Sequence, residues 1–330
     1  MPFSSRYDHH ARSTYPRRLT TSLSVFAGAA ALLAATACSP TSSASTQGAG
    51  ASGGPKVLAA FYPLEWLATR VGGPDTTVTG LTRPGVEPHD LELTPRQIAD
   101  IQRADLVVYI KGVQPAVDEA VEQQAPDKAF DAASLVPVLS ATGEEEHEER
   151  AGGGQAHEPV PYDPHLWLDP DRLATVAAEL GKRLGQADGA HASAYTGRAN
   201  TTAGELKALD EEFRKGLAQC SGRTIVTSHA AFGYLTNRYG LKQVGISGLD
   251  PDAEPSPARI AEVAATARRE KVTTIFTEEL LSPKVSAVLA KEIGATTAVL
   301  NPIESRPPSG DYLSAARENL SVLRTALGCS

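Results

Sequence analysis

Residues 192–217, ASAYTGRANTTAGELKALDEEFRKGL, decide the fold of this 330-residue chain. The segment contains no proline, and its apolar side chains Leu206, Leu209, Phe213 and Leu217 recur at helical spacing. This pattern predicts one long helix. Strands and helices alternate on both sides of it, so the sequence predicts an α/β protein of two lobes with mainly parallel sheets, joined by a long backbone helix.

Short apolar runs separated by amphipathic segments define the two lobes. Before the long helix, strands are predicted at 56–62, 76–81 and 106–110, and helices at 63–71, 95–103 and 114–124, followed by an apolar run at 135–139. After it, strands are predicted at 224–227, 243–246, 273–277 and 297–300, and helices at 230–239, 257–270, 283–293 and 311–327. Thr94 and Pro95 predict a helix start, because threonine is a good N-cap and proline suits the first turn.

The N-terminus has the features of an export signal. Four arginines precede an apolar stretch at about 23–37, which is too short for a comfortable membrane span. The stretch ends at Cys38 in a segment that resembles a bacterial lipobox, although alanine stands where leucine is usual. Residues 1–37 are therefore interpreted as a lipoprotein signal peptide, and 38–55, rich in Ser, Thr, Gly and Ala, as a flexible linker. An ordinary signal peptide beside an unmodified cysteine is the alternative. The lipid reading predicts a protein anchored on the extracytoplasmic face of the cell membrane.

Charge and cysteine content also bear on function. The net charge is −8, and the leader is itself basic, so the rest of the chain is more acidic still. An acidic surface repels phosphate backbones, which disfavours a nucleic-acid partner. Beyond Cys38 the chain has two cysteines, Cys220 and Cys329, and in an oxidising compartment a disulfide is expected. Two unpaired buried thiols are the alternative.

Three histidines in three separate segments suggest a metal site. His89 and His165 each follow a proline, which favours a loop that aims a side chain into a cleft. His229 lies just past the predicted strand 224–227, where open α/β sheets place ligand residues. Three imidazoles and a carboxylate satisfy the four-coordinate shell of Zn²⁺. We therefore predict a closed zinc site of His89, His165, His229 and, near the chain end, Asp311.

Four segments, in order along the chain, resemble the metal-binding family of bacterial ABC-transporter solute-binding lipoproteins. They are PGVEPHD at 84–90, DPHLWLDP at 163–170, TSHAAFGY at 227–234 and GDYL at 310–313. The resemblance implies lobes at 56–190 and 220–330, a linking helix at 191–219 and a metal in the interlobe cleft. It also implies that a monomer captures Zn²⁺ outside the membrane and delivers it to an ABC permease.

The resemblance also addresses the choice of metal. Members that resemble manganese carriers have a glutamate at the position of His229, whereas zinc carriers have histidine, and nitrogen ligands favour zinc. An acidic insertion at 141–161 resembles the His-rich loop of zinc carriers, but a solvated acidic loop is equally compatible with its composition. Glu278, Glu279 or water could replace Asp311 as the fourth ligand.

The same residues bear on whether the protein is an enzyme. A zinc hydrolase needs an open coordination position and a nearby general base, and the sequence has no His-Glu-x-x-His motif. An enzyme is therefore not expected. A manganese-carrying member or a surface adhesin of the same family remain the alternatives.

Overall fold

The first lobe is built on a four-stranded parallel sheet. The computed structural model of the protein describes residues 53–141 and 161–330. The sheet contains β1 (Lys56–Ala59), β2 (Thr77–Gly80), β3 (Leu106–Tyr109) and β4 (Ala129–Asp131), with α1 (Tyr62–Gly72), α2 (Pro95–Arg103) and α3 (Pro115–Gln124) between them. The strand order is β2-β1-β3-β4. Every residue of β3 is buried, as expected for an inner parallel strand.

The second lobe repeats this arrangement. Its strands are β5 (Thr224–Thr227), β6 (Lys242–Gly245), β7 (Thr274–Thr277) and β8 (Thr296–Val299), and its helices are α6 (Gly233–Tyr239), α7 (Pro257–Arg269), α8 (Lys284–Ile293) and α9 (Tyr312–Leu327). The order is β6-β5-β7-β8, again all parallel. Each sheet therefore has a topological switch point, between β1 and β3 and between β5 and β7. Ligands of open α/β sheets bind at such points, beyond the carboxyl ends of the strands.

Two long helices connect the lobes, α4 (Pro170–Ala187) and α5 (Ala192–Gly216). The long helix predicted from the sequence is α5, which packs along α4 and α1 and also contacts α9 of the second lobe. The sequence analysis did not predict α4, although Asp169 caps its first turn by accepting hydrogen bonds from two backbone amides. Helices α4 and α5 approach closely at Gly181, where a Cβ atom would lie 2.6 Å from the Cβ of Ala199.

A buried ion network fixes α5 to the second lobe. Asp210 of α5 accepts hydrogen bonds from Arg238 and from Tyr239, 3.0 Å away. The Arg238 guanidinium also lies 3.3 Å from Asp169 at the start of α4. Burial opposes ionisation of Asp210, but its hydrogen bonds with Arg238 and Arg214 outweigh burial and lower its pKa to about 2. The network thus joins the long helix, the second lobe and the loop that carries His165.

Most predicted elements are confirmed within one to three residues. Thr94 caps α2 in a reciprocal capping box with Gln97, as its position predicted. The short strand β4 was missed, and the apolar run at 135–139 begins at the last residue of a one-turn 3₁₀ helix, Ala132–Leu135. Cys220 and Cys329 form the predicted disulfide, which joins the end of the chain to the segment after α5.

Several predictions fall on other parts of the chain. The signal segment, Cys38, most of the linker and the acidic insertion lie outside the described residues. Within 53–141 and 161–330, none of the helices has the length and apolar character needed to cross a membrane.

Candidate metal centre

The three predicted histidines come together between the lobes. His89 lies in the loop after β2, His165 in the segment between β4 and α4, and His229 two residues past β5. The ring centroid of His165 lies 5.3 Å from that of His89 and 5.4 Å from that of His229. The ring centroids of His89 and His229 are 6.1 Å apart. Residues separated by up to 140 positions in the sequence therefore share one site.

The carboxylate that joins the three histidines is Glu304, which follows β8. Glu304 Oε1 lies 3.6 Å from His89 Nε2, 3.9 Å from His165 Nε2 and 3.8 Å from His229 Nε2. One ligand atom from each of the four residues lies within 4.8 Å of all the others. All four atoms are buried and have no hydrogen-bond partner among the described residues. Buried polar atoms are normally paired, so four convergent exceptions require an explanation, and a cation supplies one.

The other ring nitrogen of two histidines is held by a carboxylate. His165 Nδ1 lies 2.8 Å from Asp163 Oδ1, and His229 Nδ1 lies 2.9 Å from the carboxylate of Glu278. Carboxylates placed in this way fix the orientation of an imidazole and direct its Nε2 toward a metal. Gly233 permits the approach of Asp163, because a Cβ atom there would lie 2.3 Å from Asp163 Oδ2.

Burial and charge act differently on the two fully buried histidines. Burial, followed by the charges of His89 and His229, lowers the pKa of His165 well below its usual value. Burial also opposes protonation of His229, but the Glu278 carboxylate outweighs it and raises the pKa to about 9. A second, partly buried carboxylate adjoins the site at Glu87, where burial and then the charge of Glu304 raise the pKa to about 7.

The backbone that presents Glu304 is held from both lobes. Trp167, two residues after His165, donates its indole N–H to the Pro302 carbonyl at 2.7 Å. Asn319 of α9 brackets Asn301, accepting from its backbone amide at 2.9 Å and donating to its carbonyl at 2.6 Å. Ile303 has φ +61°, a left-handed conformation that is strained for a β-branched residue. These contacts hold a costly backbone conformation that directs Glu304 toward the histidines.

The structure places Asp311 outside this cluster. Its carboxylate caps α9, accepting from the Ser314 amide at 3.1 Å, and accepts a hydrogen bond from the Trp66 indole at 3.2 Å. The predicted ligand therefore has a different structural role, and Glu304 lies with the histidines in its place. Of the two carboxylates named from the sequence as alternatives, Glu278 lies against His229 Nδ1, and Glu279 accepts a hydrogen bond from Asn301 at 3.3 Å.

Comparison with known proteins places the chain in a family. The family model described as zinc-uptake complex component A, periplasmic (ZnuA) matches residues 57–326. The chain belongs to the ZnuA family. It is 34% identical over 274 residues to the zinc-binding lipoprotein AdcA of Streptococcus pneumoniae, a match that covers 81% of this chain. The chain spans about half the length of its AdcA relatives, 55% in that case.

Solved structures of ZnuA-family proteins have the same fold. The Zn(II)-bound ZnuA-like domain of S. pneumoniae AdcA is 32% identical, with a TM-score of 0.68 over 83% of this chain and 99% of that one. The laminin-binding protein Lmb of Streptococcus agalactiae, described as bifunctional with adhesin and metal-transporting activity, is 31% identical, with a TM-score of 0.73 over 83% and 99% of the two chains.

Two residues of this candidate site, Glu304 and Asp163, were not predicted from the sequence, and Glu278 was predicted only as an alternative fourth ligand. The position of Glu304 after the predicted strand 297–300 makes it a candidate beside Asp311, but that position alone does not choose between the two carboxylates. Asp163 lies two residues before His165, within the DPH motif that was already singled out.

Proposed function

We propose that this protein is an extracytoplasmic solute-binding protein that captures one Zn²⁺ at His89, His165, His229 and Glu304. The observation that carries the proposal is the convergence of three buried Nε2 atoms and one buried Oε1 atom that lack other partners. The Zn(II) in the related AdcA domain supports the choice of metal.

The geometry of the donors suits zinc. Ligands of tetrahedral zinc lie about 2.0–2.1 Å from the metal, so neighbouring donor atoms lie roughly 3.3 Å apart. The distances from Glu304 Oε1 to the three Nε2 atoms are 3.6–3.9 Å, and all four donor atoms lie within 4.8 Å of one another, so the shell closes around zinc by a contraction of the four side chains. Four protein ligands leave no position for a reacting water, so we propose transport rather than hydrolysis.

Delivery to an ABC permease is the second part of the proposal. It is supported by the description of the family as a component of a zinc-uptake complex. Lipid attachment at Cys38, with 38–55 as the spacer, is supported by the segment that resembles a lipobox and by the lipoprotein AdcA. In this arrangement a monomer, anchored on the extracytoplasmic face of the cell membrane, carries zinc as cargo.

Metal analysis and thermal melting of protein that begins after residue 55 test zinc capture. We expect one zinc per chain and a rise in melting temperature with added Zn²⁺, because a ligand that binds only the folded state stabilises it. His229→Ala should abolish both effects. The matched control is His191→Ala, since His191 is half exposed and pairs with Asp188, and it should retain both. Equal stabilisation of the two variants by zinc would contradict the site.

The two alternatives have their own tests. A manganese carrier would show tighter binding of Mn²⁺ than of Zn²⁺ in competition titrations, which the nitrogen-rich site disfavours. The similarity to Lmb favours an additional adhesin role, which laminin binding by the zinc-loaded and metal-free protein would test directly. Absence of laminin binding in both states would count against that role.

A further inference from the structure

The two residues after Glu304 reach across to the first lobe. Ser305 Oγ accepts a hydrogen bond from the backbone amide of Gly85 at 2.7 Å. Arg306 Nη2 donates to Glu65 Oε1 at 2.8 Å. The Arg306 guanidinium also lies 5.5 Å from the ring centroid of Tyr62, within the range of a cation–π contact. The ligand Glu304 is therefore followed at once by contacts with the opposite lobe.

The receiving side of these contacts is fixed to the first lobe. Glu65 lies in α1, and its carboxylate covers β2 so closely that a Cβ atom on Gly80 would lie 2.7 Å from Glu65 Oε2. Gly85 lies in the loop that runs from β2 to His89. Ser305 and Arg306 are thus tied to the elements that present a first-lobe ligand.

A cavity of about 290 Å³ lies beside this connection. It is lined by Glu278 and Glu304 on the side of the metal centre, and by Ser305, Arg306 and Pro308 on the other. Glu304 is 2% exposed, whereas the Arg306 side chain is 55% exposed. The cavity therefore extends from a buried ligand to a surface residue, and it can admit an ion if the contacts of Ser305 and Arg306 open.

The preceding part of the loop is anchored differently. Pro302 is held by a buried hydrogen bond to Trp167 and Asn301 by partly buried hydrogen bonds to Asn319, described above, and Ile303 is 1% exposed. The contacts after Glu304 are exposed, so they are weaker and more sensitive to salt than the more buried contacts before it. Movement of the Glu304 carboxylate is therefore easiest by release of the exposed side, about a pivot at Ile303.

We propose that Ser305 and Arg306 are positioning residues, whose contacts with the first lobe hold Glu304 against the three histidines and set the rate at which the metal leaves through the adjoining cavity. This inference rests on the proposed zinc site. Neither residue belongs to the proposed ligand set, and each would act through Glu304.

The test measures zinc dissociation by stopped-flow mixing with excess chelator, at several salt concentrations. The double variant Ser305→Ala/Arg306→Ala should release zinc about tenfold faster than the parent protein, and Arg306→Lys should recover part of the difference. Release from the parent should accelerate with salt, because screening weakens the Arg306–Glu65 ion pair. Release from the double variant should be nearly independent of salt.

Arg317→Ala is the matched control. Arg317 of α9 forms an exposed ion pair with Glu212 of α5, at 2.8 and 3.0 Å, and this pair links the second lobe to the long helix rather than to residues 304–306. The Arg317→Ala variant should release zinc at the same rate as the parent protein. Melting of the metal-free variants checks folding, and faster hydrogen exchange at 301–308 in the zinc-loaded double variant alone would support the role in positioning.

The outcomes separate the two proposals. If the parent protein binds no zinc, the proposed function fails. If the parent binds zinc but the double variant and Arg317→Ala release it at the same rate, or if the salt dependence survives in the double variant, the positioning role is overturned while the zinc site stands.

Discussion

Replacing Glu304 and Asp311 by their amides distinguishes the two carboxylates proposed for the fourth ligand. Glu304→Gln keeps the shape of the side chain but removes the single negative charge among the four convergent donor atoms. Asp311→Asn makes the same chemical change 7 positions later, at a carboxylate that caps α9 and accepts from Trp66. The pair is therefore matched in chemistry and differs in location.

The expected magnitudes differ widely. Losing a residue that merely supports a metal ligand typically costs 10- to 100-fold in affinity, so losing a direct anionic ligand should cost more than about 100-fold, or roughly 2.8 kcal/mol. Glu304→Gln leaves the ion with three neutral imidazoles and a weak amide oxygen. Asp311→Asn should change zinc affinity by less than about twofold, because asparagine is as good an N-cap as aspartate and its amide oxygen can still accept from the indole.

Competition with a fluorescent zinc chelator measures both affinities on the same scale. The melting temperature of each metal-free variant establishes that it is folded. Zinc affinity that falls for Asp311→Asn and survives in Glu304→Gln would refute the reasoning and restore the ligand predicted from the sequence.

Three further changes test other parts of the structure. Glu278→Gln should weaken zinc binding by about 10- to 100-fold, because the carboxylate orients the His229 ring, and chelator competition measures this loss. The same change should lower the pKa of His229 from about 9, because the carboxylate stabilises the protonated ring, and NMR titration of the metal-free protein measures this shift. Asp210→Asn should lower the free energy of unfolding by about 3 kcal/mol near neutral pH. The pKa of Asp210 is about 2 in the folded protein and about 3.9 in the unfolded chain, so its stabilisation is full above about pH 5 and is lost progressively as the pH falls to about 1. Melts of parent and variant should converge over that range, and a constant difference would contradict the assignment. Replacing both Cys220 and Cys329 by serine should lower the free energy of unfolding by roughly 4–5 kcal/mol, because the bridge closes a loop with a sequence separation of 109. Two free thiols at these positions in denatured, unreduced parent protein would rule the bridge out.

Local signals were sufficient for most of the secondary structure. Thr94 and Pro95 define the start of α2 because capping depends on side chains next to the helix end. The strands 224–227 and 106–109 could be read directly, since a buried parallel strand is a continuous apolar run. Strand β4 has only three residues, too few for a periodic pattern, and was missed.

The fourth position of the candidate site could not be assigned in this way. Asp311 and Glu304 both follow strand β8 in an irregular segment, and each is an acidic residue near a proline or glycine. Their different roles depend on Trp66, Trp167 and Asn319, which are distant in sequence and meet these segments only in the folded protein.

The sequence by itself determined two parallel α/β lobes, the long helix between them, the disulfide and the three histidines, because periodicity, capping and donor chemistry are local properties. The tertiary structure decided which carboxylate joins the histidines and which carboxylates orient them. That choice depends on the path of the backbone around Ile303, whose strained conformation is held by the hydrogen bonds of the preceding Pro302 and Asn301 to Trp167 and Asn319, and no local pattern encodes such a conformation.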